Sequence, residues 1–227
     1  MPHVGSERAS RAGLSSVAHA PSAREWSDVQ ARARKCTACD LYAHATQTVF
    51  GAGAVPSPLM LIGEQPGDQE DLQGAPFVGP AGQMLDRALR EIGLDRRKVY
   101  VTNAVKHFKW QPRGKRRLHK KPADYEIAAC RRWLDAELEL VQPDLIVTLG
   151  ATAGAALLGK TFKVTQQRGR LIEDGGLRIL PTIHPSMILR VPGEAARQLA
   201  YREFTRDLKK IFELLGQAEQ RLVVSEE

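Results

Sequence analysis

The sequence predicts an α/β fold, a three-layer sandwich with a mainly parallel, four-stranded central sheet flanked by helices. Three observations predict it. Short apolar runs of strand length alternate with amphipathic stretches of helical period. Each run stops at a segment rich in turn residues. Strands that alternate with helices are joined by crossovers, which leaves them parallel within layers of helix.

The elements follow in order. Residues 1–22 are rich in Ala, Ser, Arg and His and lack apolar periodicity, so a disordered tail is expected there. Glu7 and the weak amphipathicity argue against a transit peptide. One globular domain is expected over residues 23–218, with a short tail at 219–227. Ser27 to Arg34 reads as a short helix entering Cys36-Thr37-Ala38-Cys39. Leu59 to Ile62 reads as a buried strand. Pro80 opens a helix through Met84, Leu85, Leu89 and Ile92 that stops near Gly93, because proline suits a first turn and glycine ends a last one. Val99 to Val105 is a second strand. Pro122 opens a longer helix to about Val141. Leu145 to Leu149 is a third strand, followed by a helix of small residues from Ala151. Ile179 to Ile183 is the fourth strand, and Glu194 to Leu215 the last amphipathic helix.

The chain has 227 residues, of which 43% are hydrophobic, enough for a buried core. It carries 33 Lys and Arg against 26 Asp and Glu, a net charge of +7 that suits a polyanionic partner. Apolar stretches such as Leu59-Met60-Leu61-Ile62 fall far short of the roughly 20 residues of a membrane span. With no secretory pattern, a cytoplasmic protein without membrane attachment is expected. The 3 cysteines are an odd count, which argues against a disulfide framework and leaves them free for metal. No long apolar face is left over, so a monomer is expected.

Ligands of such folds sit beyond the carboxyl ends of the strands. The segments there read Gly63-Glu64-Gln65-Pro66-Gly67-Asp68, Asn103-Ala104-Val105-Lys106-His107, Gly150-Ala151-Thr152 and His184-Pro185-Ser186. Polar groups converge on one edge, which marks a site.

Cys36 and Cys39 form a C-x2-C pair whose tight turn can aim both sulfurs at one metal or cluster. Cys130 lies on the inward face of its helix, three residues after Ile127 and four before Leu134. A fourth ligand could come from His107 after the second strand, or from His44 near the pair. Spacing alone leaves structural zinc and iron–sulfur both open.

Residues 113–121 hold six Lys and Arg in nine positions, with His119 among them. Charge runs are usually solvated surface. This one begins shortly after a strand end, so it can fold over the site and contact phosphates. Positive neighbours such as Arg117 and Lys120 should lower the pKa of His119 and keep it neutral, the form that acts as nucleophile or base.

These residues resemble a known family. Gly63-Glu64-Gln65-Pro66-Gly67-Asp68-Gln69-Glu70-Asp71, Pro76-Phe77-Val78-Gly79-Pro80-Ala81-Gly82, Thr102-Asn103-Ala104-Val105-Lys106 and His184-Pro185-Ser186 look like the uracil-DNA glycosylase superfamily, nearest its iron–sulfur family 4 type. The Glu64-Gln65 pair, His107 in place of a cluster cysteine and the Lys115-Arg116-Arg117-Leu118-His119 loop resemble the UdgX-type subgroup. The resemblance covers residues 27–215.

The resemblance implies a [4Fe–4S] cluster on Cys36, Cys39, His107 and Cys130. It implies a DNA N-glycosylase that flips and excises uracil, then stays attached to C1′ of the abasic sugar through His119, so that the reaction is single-turnover. Phe77 would be the floor under the base. Asn103 would read uracil N3–H and O4 with its carboxamide. His184 would donate to O2, and Glu64 would stabilise the cationic sugar and orient His119. Gly63, Gln65 and Asp68 would belong to the substrate-binding set, with Gln65 and Asp68 shaping the loop or orienting water. Ser186, Arg190, Lys115, Arg116 and Arg117 would contact DNA phosphates, with single strands preferred because flipping costs least there. A turnover glycosylase of family 4 type and a non-catalytic, metal-stapled nucleic-acid-binding module are the competing expectations.

Overall fold

The computed structural model describes residues 23–216. The tails expected at 1–22 and 219–227, and the end of the domain expected at 23–218, lie outside the described residues. In chain order the elements are α1 (Ala23–Ala33), α2 (Leu41–His44), β1 (Leu59–Gly63), α3 (Asp68–Gln73), α4 (Pro80–Glu91), β2 (Tyr100–Asn103), β3 (Trp110–Arg113), β4 (Arg116–His119) and α5 (Asp124–Val141). They continue with β5 (Leu145–Leu149), α6 (Ala151–Leu158), α7 (Val164–Gln167), β6 (Ile172–Asp174), β7 (Leu177–Thr182), α8 (Pro185–Arg190) and α9 (Glu194–Leu215).

The central sheet runs β2-β1-β5-β7-β6. The first four strands are parallel, and β6 pairs antiparallel with β7. The sheet therefore has five strands, not the four expected. The extra strand is a hairpin return through Gly175 and Gly176, whose φ values of 56° and 82° suit a tight two-residue turn. Its Glu173 and Asp174 are exposed, so it sends no apolar signal.

Every residue of β1, β2 and β5 is buried, as strands covered on both faces require. The strand period of two splits them into two cores. On one face Leu59, Leu61, Val101, Val147 and Leu180 pack against Leu85 and Leu89 of α4 and Phe204, Leu208 and Ile211 of α9. On the other, Met60, Ile62, Tyr100, Ile146 and Ile179 pack against Leu134 and Val141 of α5 and Ala153 of α6. Each such side chain contributes roughly 1.5–3 kcal/mol by leaving water. The result is the expected three layers.

The basic segment forms a β-hairpin rather than a loop. β3 and β4 pair antiparallel around Gly114, which adopts φ 57°, and Trp110 lies opposite His119. Pro112 and the run of cations hide a strand pattern from the sequence. Beneath the sheet edge lies a buried ion pair: Lys106 Nζ is 2.5 Å from Glu137 Oε2, and both side chains are wholly inaccessible. Lys106 also donates to Thr102 Oγ1 and to the Asn103 carbonyl, while Glu137 accepts from Gly51 N, Tyr100 Oη and Thr102.

Candidate active site

A cavity of about 1120 Å³ opens at the carboxyl edge of the sheet. Glu64, Asn103, Gly150 and His184 reach it because β1, β2, β5 and β7 are parallel and end together. Gly63 works by lacking a side chain. A Cβ there would sit 2.4 Å from Asn103 Oδ1 and 2.6 Å from Phe77 Cζ, so only glycine lets those two groups meet.

Asn103 is buried at the end of β2, and its backbone carbonyl is held by Lys106 Nζ at 2.6 Å. Phe77 is buried with φ 57°, a left-handed conformation that a bulky residue adopts only under constraint. Two neighbours impose it. Gly82 closes over the Phe77 carbonyl, where a Cβ would fall 1.7 Å from that oxygen. The Glu70 carboxylate accepts from Gly67 N at 3.1 Å and Gly79 N at 3.0 Å, tying both ends of the Phe77 segment together. Sequence reasoning gave Glu70 no role of its own, because glycine at position 67 has no side chain to complete a capping box and only the Glu70 half of one forms.

The Phe77 ring stacks near His184, with centroids 6.0 Å apart and planes at 30°. His184 Nδ1 accepts the Ser186 backbone N–H at 3.1 Å and lies 2.8 Å from Ser186 Oγ. An amide can only donate, so the neutral ring carries its proton on Nε2. Burial, with help from His119 and Arg190, pushes its pKa down to about 4. The ring is thus a neutral N–H donor at physiological pH. Ser186 serves this imidazole, a role that the sequence reading did not give it.

Across the cavity, Glu64 Oε1 lies 3.4 Å from His119 Nε2, and Glu64 Oε2 accepts from Thr152 Oγ1. The His119 side chain is about half exposed, at 48%. Its pKa is lowered, first by burial and then by Arg190, against the pull of Glu64. The expected source of that shift, Arg117 and Lys120, is therefore replaced by burial and Arg190.

The reason is where Arg117 goes. Its Nε is 2.6 Å from Asp68 Oδ1 and its Nη1 2.6 Å from buried Asp71 Oδ2, while its guanidinium lies over Phe108 and Trp110. Alternation along β4 puts Arg117 on the inward face with His119, so it latches the hairpin to α3 instead of facing solvent. Asp68 is thereby committed to Arg117. Gln65 pins the hairpin's other end: its amide donates to the Lys109 and Lys120 carbonyls at 3.1 and 3.0 Å and accepts from Lys109 N at 3.1 Å. Lys115 and Arg116 stay exposed at the tip, and Arg190 is exposed at the rim. Met187 and Leu189 are apolar yet 42% and 39% exposed at the cavity mouth. The sequence reading passed over both, and only their exposure marks them.

The thiols lie elsewhere, against α5. Cys39 and Cys130 pack in one small cluster with Leu41 and Val105. Burial pushes the Cys130 thiol up to about 11, with Cys39 and Cys36 adding to the rise, while the Lys106 N–H at 3.3 Å from its sulfur opposes it. His107 is buried and held neutral by that burial, and its Nε2 is 2.9 Å from Thr48 Oγ1. Trp133 packs against the same cluster, and its buried indole N–H has no protein partner. Three soft thiols, a neutral imidazole and the spare Trp133 N–H are donor chemistry that suits an iron–sulfur cluster. Among the described residues, no three His, Cys, Asp or Glu side chains close tightly enough to hold a single metal ion. No helix among them is long and apolar enough to cross a membrane.

Comparison with known proteins adds a separate line. The family described as the uracil DNA glycosylase superfamily matches residues 50–209. The chain is 39% identical over 180 residues to a Type-4 uracil-DNA glycosylase of Thermotoga maritima, covering 78% of this chain and 90% of that protein. It is 35% identical over 188 residues to a protein of the same name from Sulfurisphaera tokodaii, covering 79% and 80%. It is 32% identical over 203 residues to another from Archaeoglobus fulgidus, covering 86% and 96%.

Proposed function

The chain belongs to the uracil-DNA glycosylase superfamily and is a DNA N-glycosylase, and from this premise we propose that it excises uracil from DNA and then captures the sugar covalently on His119, as a UdgX-type enzyme. One observation carries the capture step: a half-exposed, neutral imidazole faces a carboxylate across the same cavity as His184.

The flipped uracil rests on Phe77. Asn103 accepts from N3–H and donates to O4. Cytosine reverses both polarities and is refused while the amide cannot turn over. The Nε2–H of His184 donates to O2 and stabilises the negative charge that develops on the base, the oxyanion-hole role. As the C1′–N1 bond breaks, its electron pair leaves with uracil and the sugar gains positive charge. Glu64 stabilises that charge. The unprotonated ring nitrogen of His119 then bonds to C1′, and the resulting imidazolium is neutralised by Glu64. Arg116, Lys115 and Arg190 meet phosphates, and Met187 and Leu189 offer apolar surface to the gap left in the stack. Single-stranded DNA is the preferred form because its bases are cheapest to extrude. The protein acts as a cytoplasmic monomer.

Cys36, Cys39, His107 and Cys130 would hold a [4Fe–4S] cluster. Bound there, the group would supply a structural staple joining the N-terminal pair to the β2 edge and α5. The Lys106 amide donates to Cys130 Sγ, one of the sulfurs that would hold the group.

The relatives' names favour a second reading, a Type-4 enzyme that releases uracil and turns over. One experiment separates the two. Uracil-containing single strands are incubated with the protein, denatured, run on a gel, and the modified peptide is mapped by mass. The proposal expects a heat-stable adduct on His119 that His119→Ala lacks. Undiminished adduct in that variant would reject it.

A further inference from the structure

We propose that Thr152 is a positioning residue that fixes the Glu64 carboxylate and so decides whether His119 or water captures the cleaved sugar. The inference deepens the function proposed above and rests on it. Thr152 stands in the first turn of α6 and is 4% exposed. Its Oγ1 donates to Glu64 Oε2, while Glu64 Oε1 faces His119 Nε2 at 3.4 Å.

A carboxylate carries both oxygens on one rotor, so occupying one fixes the direction of the other. With the hydroxyl in place, Glu64 presents Oε1 to the imidazole. The N-terminal N–H groups of α6 also favour negative charge at this spot. Without the hydroxyl, Oε2 is short of a donor and the group is free to swing. A water then becomes its natural partner, held beside C1′.

The two fates differ in one bond. In capture, a His119 nitrogen bonds to C1′ as the C1′–N1 pair departs with uracil, and the cationic ring stays against Glu64. In hydrolysis, a water oxygen bonds to C1′ and its proton passes to Glu64, leaving a free abasic site.

The turn that delivers Thr152 also supports the base pocket. Gly150 precedes α6 with φ 91°, and a Cβ there would lie 3.0 Å from His184 Cβ. One turn after β5 therefore sets both the leaving-group donor and the carboxylate.

The test replaces Thr152 by Val, which keeps the shape and removes the donor, and by Ser, which keeps the donor. Single-turnover reactions on a uracil-containing single strand are quantified for released uracil, adduct and alkali-labile abasic sites, with DNA affinity measured in parallel. Thr152→Val is expected to bind DNA as before, excise roughly tenfold more slowly and yield less adduct with more free abasic site. Thr152→Ser is expected to restore both rate and partition. Wild-type behaviour in the Val variant would overturn the proposal. So would a Ser variant as impaired as Val, since packing rather than the hydroxyl would then matter. If the wild type releases uracil without any adduct, the capture reading fails, and Thr152 is still judged by the excision rate and its rescue by Ser.

Discussion

The two walls of the cavity are built in opposite ways. The sheet-edge wall carries Asn103, buried at the end of β2 with its backbone carbonyl held by Lys106, and His184, just past β7 with its Nδ1 held by the Ser186 N–H. The hairpin wall carries His119 on a two-stranded ribbon that pairs with no strand of the central sheet. That ribbon is held by Gln65 at its stem and Arg117 at its flank. In the function proposed above, the base meets groups at the edge of the central sheet and the sugar meets a group on a separate ribbon. Excision and capture should therefore respond to different substitutions.

The largest effect should come from beneath the rigid wall. Glu137→Ala leaves the Lys106 ammonium buried without its carboxylate, which should cost about 3–5 kcal/mol of stability in denaturant unfolding. Excision should slow with it, since Lys106 also holds the Asn103 carbonyl. A variant with unchanged stability would show that the pair does not brace this wall. Next, His184→Ala should lower excision by about 10²- to 10³-fold and lower capture equally, because capture follows bond cleavage. Adduct surviving at the normal rate would break the proposed order of events.

The hairpin should then part from the sheet. Arg117→Ala frees its flank, and adduct yield should fall about tenfold or more while uracil release stays near normal. Equal losses in both assays would mean that the walls are one unit. Acid offers a gentler separation. His119 is lowered below the ordinary histidine value, and His184 is lowered further, to about 4. In the proposed mechanism His119 needs a free lone pair, and His184 needs Nδ1 unprotonated to accept the Ser186 N–H that orients it. Each activity should therefore be steady above its ring's pKa and be lost as pH falls through it. On acidification, capture should fail first, below about pH 6.5, in a range where uracil is still released. Coincident titration of the two would contradict the assignment. The smallest effect belongs to the exposed tip. Lys115→Ala should flatten the salt dependence of DNA binding by about one unit with no change in rate once DNA is saturating.

Much of this was legible in the residues. The apolar runs at Leu59, Leu145 and Ile179 named buried strands because a short apolar stretch between turn signals has few other uses. The polar groups after each run line one cavity, since parallel strands end on one side. What stayed hidden had no local signature. β6 is short and its Glu173 and Asp174 are exposed, so only its pairing with β7 makes it a strand. Arg117 looked like one more surface cation. Its commitment to Asp68 and Asp71 depends on a register that puts it on the inward face of β4. The Ser186 N–H that fixes the tautomer of His184 is, by contrast, a local contact two residues away.

The sequence by itself determined the layered α/β architecture and the identities of the polar groups gathered at the carboxyl edge of its strands, because hydrophobic period and turn residues act over a few neighbours. Only the tertiary structure decided what each group is able to do. Which oxygen of Glu64 is free and which cations remain unpaired are set by contacts between residues as far as 88 positions apart, and no local pattern encodes a partner at that distance.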